Sequence, residues 1–161
     1  MTVSDPIPAG RRMTVLQMLP ALESGGVERG TLEIGRELVT RGHRSIVIST
    51  GGRLVPRLEA EGSEHITWQI SKRSHLFALR YIPALRRLLR EQQVDIVHVR
   101  SRHPAWVAWP AWRGMPAATR PRLVTTVHGL YSVNFYSAVM ARGERVIAIS
   151  DTVRRYLLAN Y

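Results

Sequence analysis

Apolar residues along this 161-residue chain fall into short runs of strand length separated by longer stretches of helical period. Residues 13–19, rich in Val, Leu and Met and closed by Pro20, have the length of a buried strand. After the pair Gly25-Gly26, Val27, Ile34 and Leu38 recur at helical spacing with charged residues between them. Gly42 supplies the stop, so a helix is predicted over 27–41. A second strand follows over 45–50, ended by Gly51-Gly52, then a short helix over 54–60 and a weaker strand over 65–68.

The second half repeats the alternation. Residues 76–92 form the best amphipathic segment, with Tyr81, Ile82, Leu85, Leu88 and Leu89 on one face and Arg80, Arg86, Arg87 and Arg90 on the other. Pro83 should start or kink that helix. Strands are predicted over 94–99, 123–127 and 145–149, separated by a Trp-rich helical stretch over 105–112 and a segment over 134–142. A last helix starts at Ser150 or Asp151. Val- and Ile-rich strands alternating with helices, without hairpin signals, predict βαβ units: an α/β, doubly wound parallel sheet with helices on both faces.

Composition narrows the class. With 45% hydrophobic and 22% charged residues, the chain can build one ordinary core, so residues 13–161 are read as one domain behind a flexible leader, 1–12. No apolar run approaches the roughly 18–20 residues of a spanning helix. The absence of cysteine removes disulfides, thiolate metal sites and cysteine nucleophiles. No secretory signal is read at the start, and a cytoplasmic address is the expectation. A net charge of +11 favours an anionic partner. The cations are scattered and no nucleic-acid module accompanies them, so nucleic acid is not the expected partner. The arginine face of residues 76–92 is either a solvated face or a contact for an anionic membrane surface.

In a doubly wound sheet, ligands bind beyond the carboxyl ends of the strands, where the strand order reverses. Those ends carry Ser24-Gly25-Gly26, then Gly51-Gly52-Arg53, Arg100-Ser101-Arg102-His103, His128-Gly129 and Ser150-Asp151. Glycine lets a backbone approach a ligand, and a helix N-terminus offers unpaired N–H groups, so this rim suits phosphate or a polyhydroxyl compound. The Gly25-Gly26 loop reads as phosphate contact or as a tight turn alone. It departs from the dinucleotide fingerprint and from the P-loop. His128 should project into the crevice, able to donate to a sugar hydroxyl or a developing negative charge. Arg100, Arg102 and His103 extend past their strand and could read an anionic acceptor, whereas His98 lies inside it as a core residue. His43, His65 and His75 have neither metal spacing nor carboxylate company, and no metal site is expected. Trp106, Trp109 and Trp112 offer sugar-stacking faces, a bilayer wedge or plain packing.

Four segments in order, Leu16 to Arg29 (LQMLPALESGGVER), Asp95-Ile96-Val97-His98, Val124 to Gly129 (VTTVHG) and Val146 to Ser150 (VIAIS), resemble the N-terminal domain of family 4 glycosyltransferases of the GT-B fold. The resemblance runs from about Met13 onward and implies a Rossmann-like half of a two-domain enzyme. It implies a retaining sugar transfer from a nucleotide-sugar donor, a co-substrate, to a glycan or lipid-linked acceptor of the cell envelope, lipopolysaccharide among them, with no metal and no other cofactor. By the same resemblance Gly25 and Gly26 approach the donor diphosphate, His128 contacts the transferred sugar, Ser150 closes the last strand before the hinge, and this domain binds the acceptor. The family's paired glutamates, Glu-x7-Glu, are absent, since no glutamate here has another eight residues later. The expectation is an acceptor-side half, inactive without its donor-binding C-terminal domain. The alternative is a non-catalytic basic module that docks on an anionic membrane or on a separate catalytic subunit.

Overall fold

A computed structural model describes residues 10–70 and 80–161. Residues 1–9 of the predicted leader, and Lys72, His75 and the first residues of the helix expected over 76–92, lie outside the described residues.

Six strands, β1 (Thr14–Met18), β2 (Arg44–Ser49), β3 (Glu64–Thr67), β4 (Ile96–Val99), β5 (Arg122–Val127) and β6 (Arg145–Ala148), form one parallel sheet in the order 3-2-1-4-5-6. The helices are α1 (Gly26–Thr40), α2 (Val55–Ala60), α3 (Tyr81–Glu91), α4 (Arg102–Arg113), α5 (Phe135–Ala138) and α6 (Asp151–Asn160), with a 3-10 turn at Val139–Ala141. This is the Rossmann-like doubly wound order, with its reversal between β1 and β4. Pro83 stands third in α3, where the missing N–H costs no helical bond.

The two faces of the sheet differ chemically. Leu16 and Met18 of β1, Ile46 and Ile48 of β2, Val97 and Val99 of β4 and Leu123 and Val127 of β5 point to one side. There they form a single apolar core with Leu85 and Leu89 of α3 and Val107, Ala111 and Trp112 of α4. On the other side Leu19, Leu22, Leu32, Val47 and Leu58 make a smaller core beneath α1 and α2. Beyond it, towards β5, the same side is polar: Gln17, His98, Arg100 and Thr126 are all buried. Edge strand β6 is poorly covered, with Val146, Ile147 and the following Ile149 exposed at 37%, 46% and 54%.

The tryptophans pack. Trp112 is buried with its Nε1–H donating to Pro121 O at 2.8 Å, Trp106 donates to Tyr136 O at 3.0 Å, and Trp109 lies against the main core. The arginine face of α3 is divided. Arg87 pairs with Glu91 at 3.8 Å on the surface, and Arg90 is exposed. Arg86 instead turns inward to α4, donating through Nε and Nη2 to the carbonyls of Ala111 and Pro110 at 3.1 and 3.0 Å. Those carbonyls belong to the last turn of α4, where Pro110 O also accepts from Gly114 N–H at 3.2 Å; a guanidinium there adds a donor to the helix end and complements the helix dipole. Arg86 therefore leaves the solvated stripe in which its spacing put it.

Arg86→Gln should lower unfolding stability by roughly 1–2 kcal/mol, the scale of hydrogen bonds to a charged donor. Arg87→Gln and Arg90→Gln should each stay within about 0.5 kcal/mol of wild type, as exposed positions do. Urea denaturation of the three single variants checks this ordering.

Candidate functional site

The carboxyl ends of β1 and β4 lie side by side, yet their chains leave in different directions, and the crevice opens between them. The loop after β1 is braced by the loop after β2: Leu22 N–H donates to Gly51 O at 2.8 Å, Leu54 N–H to Leu22 O at 2.9 Å and Thr50 N–H to Pro20 O at 2.9 Å. Gly52, at φ +141°, lies so close to the Leu22 carbonyl that no side chain would fit. This bracing delivers the chain to Gly25, the N-cap of α1, where the backbone is extended and no side chain caps the helix. The first-turn amides, beginning with Gly26, are without a side-chain cap, with the positive end of the helix dipole behind them. A side chain at Gly26 would meet nothing within 4 Å, so the approach is open. Glu28 folds its carboxylate back against Gly25.

His128 follows β5 directly. The residue is half-buried, its N–H reaches Tyr131 Oη at 3.4 Å, and its ring Nε2 is enclosed without a hydrogen-bond partner. Burial holds its pKa below the ordinary 6.5, Arg100 lowers it further, and Glu28 opposes them. Arg100, whose Nη2 lies over Gly30 of α1, and Glu28 in the first turn of α1 both act electrostatically on His128.

The three basic residues after β4 behave differently from one another. Arg100 does not stand out past the strand. It is 5% exposed, donates through Nη1 to Gln17 Oε1 at 3.3 Å, and leaves its Nε without a partner. Arg102 and His103 belong to α4, which starts at Arg102 after the N-cap Ser101, three residues earlier than the apolar pattern indicated. Arg102 is sandwiched by the Tyr131 and Tyr136 rings, 4.5 and 5.4 Å from their centroids, and donates to Ser137 Oγ at 3.2 Å. His103 bonds to the Tyr136 hydroxyl. Both are anchored to the segment around α5, beside His128 in sequence but held by aromatic contacts. Ser150 is an exposed N-cap of α6, accepting from Val153 N–H at 3.3 Å, and its hydroxyl serves that helix.

His98 bonds through Nε2 to Thr126 Oγ1 at 2.7 Å inside the sheet. Burial, with Arg100 and His128 adding, pushes its pKa down to about 4. His43 accepts from Met13 N–H at 3.2 Å and His65 shares a 2.8 Å bond with Ser49 Oγ, so both are tied into the scaffold. Gln17, Glu28 and Gly30 belong to the rim's support and escaped the reading of strand ends. Their signals were a glutamine inside an apolar strand, an acid three residues after the helix cap, and a glycine inside a helix. Among the described residues no group of three or more His, Cys, Asp or Glu is placed to hold a metal ion, and no helix is long and apolar enough to cross a membrane.

A six-stranded parallel sheet in the order 3-2-1-4-5-6 is the architecture of one half of a GT-B glycosyltransferase. Residues 24–161 match the family model "Glycosyltransferase Family 4", and the chain belongs to that family. The crystal structure of a glycosyltransferase from Rickettsia africae ESF-5 is similar over 93% of this chain and 40% of its own, at 38% identity and a TM-score of 0.78. The chain thus spans about 40% of the length of that relative. Two more distant structures share the fold: the lipopolysaccharide outer core galactosyltransferase WaaB in its apo form, at 13% identity, 92% of this chain, 42% of that one and TM-score 0.67, and Anabaena HepE in complex with UDP and glucose, at 15%, 92%, 41% and 0.65. A comparison with curated protein sequences gave no match.

The buried imidazoles make the fold acid-sensitive. His98 titrates at the ordinary 6.5 when unfolded and at about 4 when folded. The unfolded chain therefore takes up the proton first as pH falls. Stability should be full above pH 6.5, decline between 6.5 and about 4 by on the order of 3 kcal/mol, and level off below. His65 and His128, also lowered, add in the same sense. Urea midpoints at pH 7.5, 5 and 4 follow the loss, about two-thirds of which is reached by pH 5, and His98→Gln should flatten it.

Proposed function

We propose that this domain is the acceptor-binding half of a retaining glycosyltransferase, which moves a sugar from a nucleotide-sugar to a glycan or lipid-linked acceptor of the cell envelope, of lipopolysaccharide type. The observation that carries the reading is the meeting, at one strand-order reversal, of an uncapped helix start at Gly25–Gly26 with a strand-end imidazole whose Nε2 lacks a partner.

The chemistry follows from charge. Breaking the bond between the anomeric carbon and the donor diphosphate leaves negative charge on the diphosphate oxygens, and the α1 amides face where that charge develops. The sugar gains oxocarbenium-like positive character, next to which a neutral His128 can donate a hydrogen bond to a ring hydroxyl without adding a competing cation. The acceptor oxygen then bonds the anomeric carbon on the face the diphosphate left, and its proton passes out with the departing group. Arg102 and His103, held against Tyr131 and Tyr136, form the polar and aromatic wall on which an acceptor would lie, with Arg100 behind them and Ser150 at the far end of the rim. No metal or further cofactor enters this scheme. The nucleotide portion of the donor would rest on a second domain carrying the paired glutamates.

Two assays test the scheme. The 161-residue chain alone, offered a panel of nucleotide-sugars with lipid-linked acceptors, should show no turnover; robust transfer would refute the half-enzyme reading. In a polypeptide that also carries the donor-binding domain, His128→Ala should lower kcat by about 10²-fold or more with the fold intact, the scale on which loss of one aligned donor is felt. An unchanged kcat would remove His128 from the chemistry.

The envelope setting also implies an anionic bilayer as partner, met through Arg87 and Arg90 on the exposed side of α3. Vesicles containing anionic lipid should sediment wild type and release the Arg87→Gln/Arg90→Gln double variant. Equal sedimentation of both would discard that contact.

A further inference from the structure

We propose that Arg100 is a positioning residue of the cleft: its buried guanidinium clamps the first half of α1 onto the junction of β1 and β4, and so sets the aim of the Gly25–Gly26 turn and the hydrogen-bonding state of the His128 ring. What that ring then does for a sugar rests on the function proposed above; the clamp does not.

Three contacts make the clamp. The guanidinium donates to Gln17 Oε1 at 3.3 Å, and the same glutamine donates through Nε2 to Thr31 O in α1 at 3.0 Å, so one side chain of β1 links the cation to the helix. Its Nη2 lies directly over Gly30, where a Cβ would come within 2.8 Å. A helix-interior glycine weakens α1 intrinsically; here it is the space that lets a guanidinium fit between helix and sheet. Thr31 returns its hydroxyl to Val27 O at 2.9 Å, tying this layer to the turn that follows the glycines.

The charge is the second part of the argument. A guanidinium that is 5% exposed normally has a carboxylate partner. None of the ion pairs among the described residues includes Arg100, although Glu33 acts on it from α1. A clamp that only filled space could be a leucine or methionine at lower desolvation cost. The positive charge kept there faces His128. The other charged group acting on that imidazole is Glu28 from the start of α1, which draws the proton towards it, while Tyr131 Oη from its own loop meets the His128 backbone N–H; His98 of β4 is coupled to it electrostatically. Burial and Arg100 together outweigh Glu28, and the ring stays neutral at pH 7, with one donor and one acceptor nitrogen.

Imidazole and backbone amide NMR of the chain under pH titration tests the proposal, using wild type, Arg100→Gln, Arg100→Lys and Gly30→Ala. In Arg100→Gln the His128 midpoint should rise towards the ordinary 6.5 and the Gly25 and Gly26 amides should shift. Arg100→Lys, which keeps the charge without the fork, should hold the midpoint low while still moving the glycine amides. Gly30→Ala, which displaces the guanidinium, should move both signals, and it decides the matter if Arg100→Gln does not fold. A His128 midpoint and glycine amides unmoved by loss of Arg100 or by Gly30→Ala would overturn the clamp. The titration is independent of transfer assays: absence of transfer by the two-domain polypeptide would sink the proposed function and leave the clamp standing.

Discussion

Everything at the rim depends on how β1 and β4 diverge. Two strands paired in register over Val15↔Ile96 to Met18↔Val99 must send their chains to opposite sides of the switch point, because β2 already occupies the other edge of β1. The backbone groups at that parting cannot be satisfied by a further strand. They are served by neighbouring backbone: Leu19 N–H donates to Ile48 O at 3.2 Å and Arg100 N–H to Met18 O at 3.0 Å. The crevice is thus a geometric product of strand order, and the residues around it decide what it can hold.

The sheet shows how that decision is made. One face is apolar from β2 to β5 apart from Thr125, whose hydroxyl donates to Met140 O at 2.6 Å, and α3 and α4 seal it. The other is mixed: Leu19, Leu22, Leu32, Val47 and Leu58 beneath α1 and α2, beside the hydrogen-bonded Ser45 and Ser63, then Gln17, His98, Arg100 and Thr126. Burying four polar groups there costs stability, which the hydrogen bonds from Gln17 to Thr31 and from His98 to Thr126 recover in part. Among the described residues, two buried side-chain nitrogens stay without a hydrogen bond, Arg100 Nε of this strip and His128 Nε2 just past β5. Natural folds leave few such atoms, and these two sit at the end of the same polar strip.

The alternation of elements was legible because each strand is short, aliphatic and closed by Gly, Pro or a polar cluster, while each helix carries a periodic apolar face. The six strands and the helix starts that lie among the described residues fall within a few residues of their expected places, and the positions of Gly25 at a helix cap and of His128 just past β5 could be read from strand ends alone. The destinations of long side chains were not legible. Arg86 shares the spacing of solvated arginines, and only the approach of α4 turns it inward. Arg100 stands one residue past a strand, as exposed residues do, but the gap over Gly30 draws it under the helix. The start of α4 was displaced because Arg102 and His103 are polar and Pro104 interrupts the apolar pattern. Ser101 nonetheless adopts the extended geometry of a cap, and a proline in a first turn costs no bond. In each case the deciding neighbour is distant in sequence, where periodicity carries no information.

The border formed by β6 has a consequence of its own. Among the described residues no strand pairs with its outer side, and Ile147 and Ile149 lie open to solvent beside it. Soluble proteins blunt such margins with lysine, proline or a bulge; here Arg145 at the start is the only charge on the strand. A border of this kind is adhesive: it offers a template along which another extended backbone can zip, so crowding and concentration, more than temperature, set how long the isolated chain stays dispersed.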